Sequence, residues 1–136
     1  MKPVRFAAGT GKSDCSFRVA LPGRYAQMIA VLPERPANLR LALTEANLKP
    51  GGTLEYRMEM FGEADRPARG SHLLEVEVTG PDGEIVSRFG GATATSKGVA
   101  TREMPVPVNA LPGEYRVVAV APQAGAQAEA RFTIAK

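Results

Sequence analysis

The chain has 136 residues, 44% apolar and 23% charged, and carries a formal net charge of +3. That length suits one domain with a core of its own, and the composition excludes intrinsic disorder, which needs low hydrophobicity with high net charge. Residues 1–44 hold seven Lys or Arg against two acids, and residues 45–136 hold ten against twelve. The cations are spaced singly, without the interleaved aromatics of a nucleic-acid groove, so no nucleic-acid partner is expected.

The basic opening contains Gly9-Thr10-Gly11-Lys12-Ser13, which reads like the end of a phosphate-binding loop. The full pattern needs a glycine where Phe6 stands, with a strand before it and a helix after. Pro22 follows too closely for a long helix, so a plain loop is predicted and no nucleotide cofactor. Residues 16–20 and 25–32 read as two strands joined through Leu21-Pro22-Gly23, a hairpin ahead of the main body. Residues 1–37 are therefore set apart as an N-terminal extension, in the manner of the tail of a preceding domain. Its cations and its apolar Met28, Ile29, Val31 and Leu32 make it the expected contact with a neighbour.

From Asn38 onward the period is two. Leu39, Leu41 and Leu43 alternate, and a polar connection ends in Pro50-Gly51-Gly52. Leu54, Tyr56, Met58 and Met60 then alternate with Glu55, Arg57 and Glu59, the mark of a half-buried strand. After a loop from Gly62 to Gly70, Leu74, Val76 and Val78 oppose Glu75 and Glu77. Gly80-Pro81-Asp82-Gly83 is a tight turn; residues 85–89 are predicted as the second arm of that hairpin and residues 90–97 as a loop. Met104, Val106 and Val108 alternate with Pro105 and Pro107, whose missing N–H groups mark a strand edge or end.

Leu111-Pro112-Gly113 turns the chain into residues 115–121, apolar at nearly every position, as in a strand covered on both faces. Ala128, Ala130, Phe132 and Ile134 alternate to the end. About seven strands, punctuated by 14 Gly and 11 Pro, predict an all-β antiparallel sandwich over residues 38–136.

Chemistry is sparse. The sole histidine is His72 and the sole cysteine Cys15; a nucleophilic site needs a third converging member, and a metal site needs more ligands. Glu55 with Glu59 and Glu75 with Glu77 alternate along solvated strand faces, unlike the carboxyl pair of a glycosidase. No catalytic residue, metal or cofactor is expected, and an enzyme built on His72 is the remote alternative. A carbohydrate-binding module is the nearer one. The chain has no Trp, Tyr56, Tyr115 and Phe132 fall at core positions, and Tyr25, Phe61 and Phe89 are the candidates for an exposed sugar platform.

One cysteine permits no internal disulfide, which fits a reducing compartment or an exported bacterial domain that relies on its core. No stretch approaches the roughly 18 apolar residues that span a bilayer, so no membrane insertion is expected. Met1-Lys2-Pro3-Val4-Arg5 begins no apolar signal segment. The chain reads as cytoplasmic or as an excised piece of something longer.

Three turn motifs carry a resemblance. Leu111-Pro112-Gly113-Glu114-Tyr115-Arg116-Val117, followed by the alternation from Ala128 to Ile134, resembles the ending of bacterial immunoglobulin-like and fibronectin type III-like modules. Leu48-Lys49-Pro50-Gly51-Gly52-Thr53-Leu54 is similar to the turn into their second strand. Gly80-Pro81-Asp82-Gly83-Glu84 is similar to a hairpin found in them and in macroglobulin-like domains. The resemblance implies that Tyr115 is a structural corner tyrosine whose hydroxyl bonds nearby backbone. The chain lacks the core Trp and the cysteine pair of antibody-type domains, which points to the disulfide-free bacterial branch. Such modules are accessory parts of secreted or envelope multidomain proteins, often ones acting on polysaccharides. The resemblance therefore implies a non-catalytic spacer or docking module, extracellular or periplasmic, whose partners are neighbouring domains and polysaccharide.

Overall fold

The computed structural model describes residues 32–136. The hairpin expected at 16–20 and 25–32, Cys15, Tyr25 and the glycine-rich loop lie outside the described residues. Among the described residues there are eight strands: β1 Pro36–Leu43, β2 Asn47–Leu48, β3 Thr53–Gly62, β4 Leu73–Thr79, β5 Gly91–Ala94, β6 Val99–Pro105, β7 Gly113–Ala121 and β8 Ala126–Ile134. They form two sheets, one in the order β1-β3-β6 and the other β2-β8-β7-β4-β5. All pairings are antiparallel except the short β2–β8 contact. This is the predicted immunoglobulin-like sandwich.

The alternation in the sequence becomes the core directly. Leu54, Tyr56, Met58 and Met60 of β3 face Leu74, Val76 and Val78 of β4 and Tyr115, Val117, Ala119 and Ala121 of β7, all buried. Each large apolar side chain so buried contributes roughly 1.5–3 kcal/mol. At one side of the sandwich β1 lies against β8 of the other sheet. At the other side the inward-facing Arg102 of β6, opposite Tyr56 in register, donates from Nη1 to the Gly90 carbonyl at 3.2 Å. A charged side chain turned inward on an edge strand both covers the core and discourages further pairing there.

Two stretches differ from the expectation. Residues 85–89 are not a strand arm: Ile85 makes a single bridge to Thr79, and Ser87–Phe89 forms a 3-10 turn. The partner of β4 is instead the Gly91–Ala94 stretch that reads as a loop. Phe89 decides this, because the turn drives its ring into the core, edge-on to Tyr115 with ring centroids 6.2 Å apart. Gly90 then passes so near β4 that a Cβ would lie 2.5 Å from the Val76 carbonyl oxygen. The second difference is that β6 spans Val99–Pro105 and stops at the first proline; Val108 stands 82% exposed beyond it. As an edge strand ending at Pro105, β6 matches what the missing proline N–H groups require.

The described chain starts at one end of the sandwich and finishes at the other. Pro33 and Glu34 pack against Gly70 and Gly62 at the end that also holds the 94–99 and 121–126 connections. Ile134 pairs with Gly113 and Leu48 at the opposite end, beside the 79–90 and 105–113 connections.

Candidate functional site

His72 is 1% exposed. Its ring Nε2 lies 2.8 Å from the Arg69 carbonyl, its Nδ1 is buried with no hydrogen-bond partner, and its backbone N–H donates to Thr95 Oγ1 at 3.0 Å. The residue fastens the 63–72 loop to the β5–β6 turn, and its ring is closed to a substrate. Alternation with Leu74 and Val76 places His72 on the inward row, not at the surface. Among the described residues, no three His, Cys, Asp or Glu side chains converge as metal ligands would.

The expected exposure of Phe61 and Phe89 is also corrected, while Tyr25 lies outside the described residues. Phe89 is 2% exposed for the reason given above, and Phe61 is 7% exposed. Phe61 would face outward by strand alternation, but the chain folds back over it. Pro67 bridges to it, and the Arg40 guanidinium lies 4.2 Å from its ring centroid, held from behind by Asp65 at 3.1 Å. Neither ring offers a flat face to a sugar. Tyr115 is buried, stacked on Phe132 at 5.0 Å, and its hydroxyl donates to the Leu111 carbonyl at 2.8 Å. Burial pushes its phenol above the ordinary range, as it does for Tyr56, whose hydroxyl donates to the Phe89 carbonyl at 3.3 Å.

Three of the four large apolar side chains exposed among the described residues lie at the end where β8 finishes; the fourth, Leu73, lies at the other end. Ile85 is 60% exposed, Val108 82% and Leu111 54%. Ile85, Leu111 and Pro107, together with the charged Asp82, Glu84 and Arg88, border a groove of about 290 Å³. The opposite end is charged, with Arg35, Glu63, Asp65, Arg66, Arg69 and Lys97 exposed around it. The sequence hinted at this asymmetry only through the apolar residues placed between prolines in 105–112.

The outer face of the five-stranded sheet is polar on one half. Arg116 and Arg131 stand directly opposite each other, a repulsive placement that Glu129 relieves by bonding Arg116 at 2.6 Å and Arg131 at 3.3 Å, while Glu114 holds Arg131 at 2.8 Å. The hydrogen bond from Arg116 is the main cause that holds the Glu129 carboxyl below its usual range. A carboxyl depressed in the folded state stabilises above its unfolded pKa and loses that effect as pH falls through its folded pKa. Glu129→Gln is therefore expected to be less stable than the parent at neutral pH. The gap should close as pH drops below the carboxylate range, which urea midpoints measured from pH 7 to pH 3 will check.

The two sheets define an immunoglobulin-like β-sandwich fold. No family model and no curated protein matches the chain. Solved structures that match include the native conformation of alpha-2-macroglobulin from E. coli, with a TM-score of 0.61 and 18% identity over 78% of this chain. A glycosyl hydrolase family 2 member from Bacteroides cellulosilyticus matches with a TM-score of 0.58 and 13% identity over 75% of this chain. The adhesin InvE of Yersinia pseudotuberculosis gives 0.54 and 16% over 78%. At these identities the likeness is one of fold. The match spans only 6%, 14% and 34% of those three chains, so the structural neighbours are parts of much longer proteins.

Proposed function

We propose that this chain is a non-catalytic spacer or docking module of a larger exported bacterial protein. The observation that carries the reading is the through-running chain path. β1 enters at one end of the sandwich and β8 leaves at the other, where Ile85, Val108 and Leu111 are exposed among charged side chains. A module so built holds its neighbours apart along one axis and packs one of them against the end where β8 leaves, within the roughly 600–1,500 Å² typical of contacts between domains. The bacterial macroglobulin, hydrolase and adhesin that share the fold support an exported setting and an accessory role. Polysaccharide as the target of the parent protein rests on the hydrolase neighbour alone.

The test compares thermal unfolding of this chain by itself with the same chain in its native polypeptide. Docking is expected to raise the module's midpoint by several degrees in the longer protein, since a partner that binds only the folded form stabilises it. Ile85→Asp with Leu111→Asp should cancel that rise while leaving the isolated chain unaffected, because both side chains are exposed. A reading frame bounded by Met1 and Lys136, or equal midpoints in the two settings, would overturn the proposal.

A further inference from the structure

Each sheet has two edges, and an unprotected edge offers a row of free backbone N–H and C=O groups to any extended chain. Three of the four edges here carry protection. β1 begins at Pro36 and bears Arg40; β6 has the inward Arg102 and ends at Pro105; β2 is two residues long and runs into Lys49-Pro50. The fourth, β5, reads Gly91-Ala92-Thr93-Ala94, with neither charge nor proline of its own; the Arg102 guanidinium approaches only its Gly91 end, where it bonds the Gly90 carbonyl. It pairs with β4 on one side and, among the described residues, with no strand on the other.

Beside this edge the outer face of the sheet sinks into a trough of about 410 Å³, floored by Val118 and Val120 of β7 and bordered by Gly91, Ala92, Glu75 and Glu77. The register explains its shape. Ala92 sits opposite Glu75, which sits opposite Val120, and Glu77 sits opposite Val118. The small side chains of β5 thus leave the trough open toward the free edge. Glu75 and Glu77 are exposed, point to the same side, and among the described residues form no ion pair. On the other half of the same face every carboxylate is engaged by an arginine.

We propose that β5 is the docking edge for an extended basic segment of a partner protein, which adds as a further strand and sends one Lys or Arg side chain across Ala92 to Glu75 and a second, two residues on, past Gly90 to Glu77. The spacing selects this occupant. Residues two apart on the added strand stand about 6.6 Å apart, the same interval that separates Glu75 from Glu77. The added strand lies two strand spacings, roughly 9.6 Å, from β4. Only the long arms of Lys or Arg cross that gap, the one bound for Glu75 resting its methylene stem on Ala92. Backbone pairing supplies the attachment, and the alternate cations supply the selectivity.

The probe is a synthetic eight-residue peptide alternating Lys with Thr or Val, titrated into the isotope-labelled full chain and followed by amide chemical shifts. Shifts are expected at Gly91, Ala92, Thr93 and Ala94, with slowed exchange of alternate β5 amides and affinity that falls as salt rises. Glu75→Gln with Glu77→Gln should weaken binding about tenfold, the scale of two exposed ion pairs. Ala92→Lys, an exposed substitution that places the cation in the chain itself, should abolish binding. A peptide of the same composition with its lysines in one block should bind far more weakly. Equal binding of the two peptides, or no β5 shifts at millimolar peptide, overturns the proposal. So does protection of the β5 amides in the free chain, which would assign the edge to this chain or to a second copy.

Discussion

Phe132→Ala is expected to cost about 3–5 kcal/mol of folding stability, the range for removing a buried aromatic ring from a core. Phe132 is 1% exposed on β8 and stacks on Tyr115, whose ring in turn meets Phe89 edge-on. Deleting it opens a void shared by both sheets near the end where β8 finishes, and neighbours fixed in strands cannot collapse into it. Domains of this size are stable by only about 5–15 kcal/mol, so the variant should unfold at a much lower urea concentration with an unchanged slope. Phe132→Leu keeps most of the volume and should lose less than about 1.5 kcal/mol. The half-buried Val120 on the outer face supplies a second contrast, since its replacement by Ala removes little buried surface. If Phe132→Ala and Val120→Ala shift the midpoint equally, the inner face of β8 does not form the core described here.

The contrast between those faces was legible in the sequence because strand alternation is local. Leu54 to Met60 and Leu74 to Val78 each announce one buried row, Ala128 to Ile134 one that is fully buried at Phe132 and Ile134, and the turn residues between them announce the sandwich. Tyr115 was legible for a similar reason, since Pro112 and Gly113 fix a turn immediately before it. Phe89 was not, because Ile85, Ser87 and Phe89 mimic strand alternation and only the distant Tyr56 and Tyr115 make a 3-10 turn the better burial. Phe61 was missed because its cover comes from Arg40 and Pro67, which chain folding and not spacing brings to it. The trough and the bare edge depend on β4, β5 and β7 lying side by side in one register. Glu75 and Glu77 therefore read as an ordinary solvated face until that register is known.

The second large effect is expected at Gly98, where Ala should cost about 2–5 kcal/mol. Two causes add. The residue has φ +81°, in the left-handed region that costs an L-residue about 1–2 kcal/mol. A Cβ there would also stand 2.9 Å from both the nitrogen and the oxygen of Ala68 and 3.0 Å from the Met60 oxygen. Those atoms are backbone, joined by the Ala68 N–H to Met60 C=O bond at 2.7 Å, while the Met60 N–H donates to Gly98 itself at 2.7 Å. They cannot turn aside as a side-chain tip would, and shifting backbone to admit a methyl group typically adds about 1–3 kcal/mol. Gly125 separates the two causes, because it has φ +64° yet nothing within 4 Å of its Cβ position. Gly125→Ala should show the conformational penalty alone, so the difference between the two variants measures the close crossing of residues 63–72 over the β5–β6 turn. Hydrogen exchange should locate the damage in Gly98→Ala at the Ala68 and His72 amides, with Val117 in the central strand opening only by global unfolding. Equal losses in Gly98→Ala and Gly125→Ala would mean that the loop does not lie across Gly98, and that Phe61 and His72 are less covered than described.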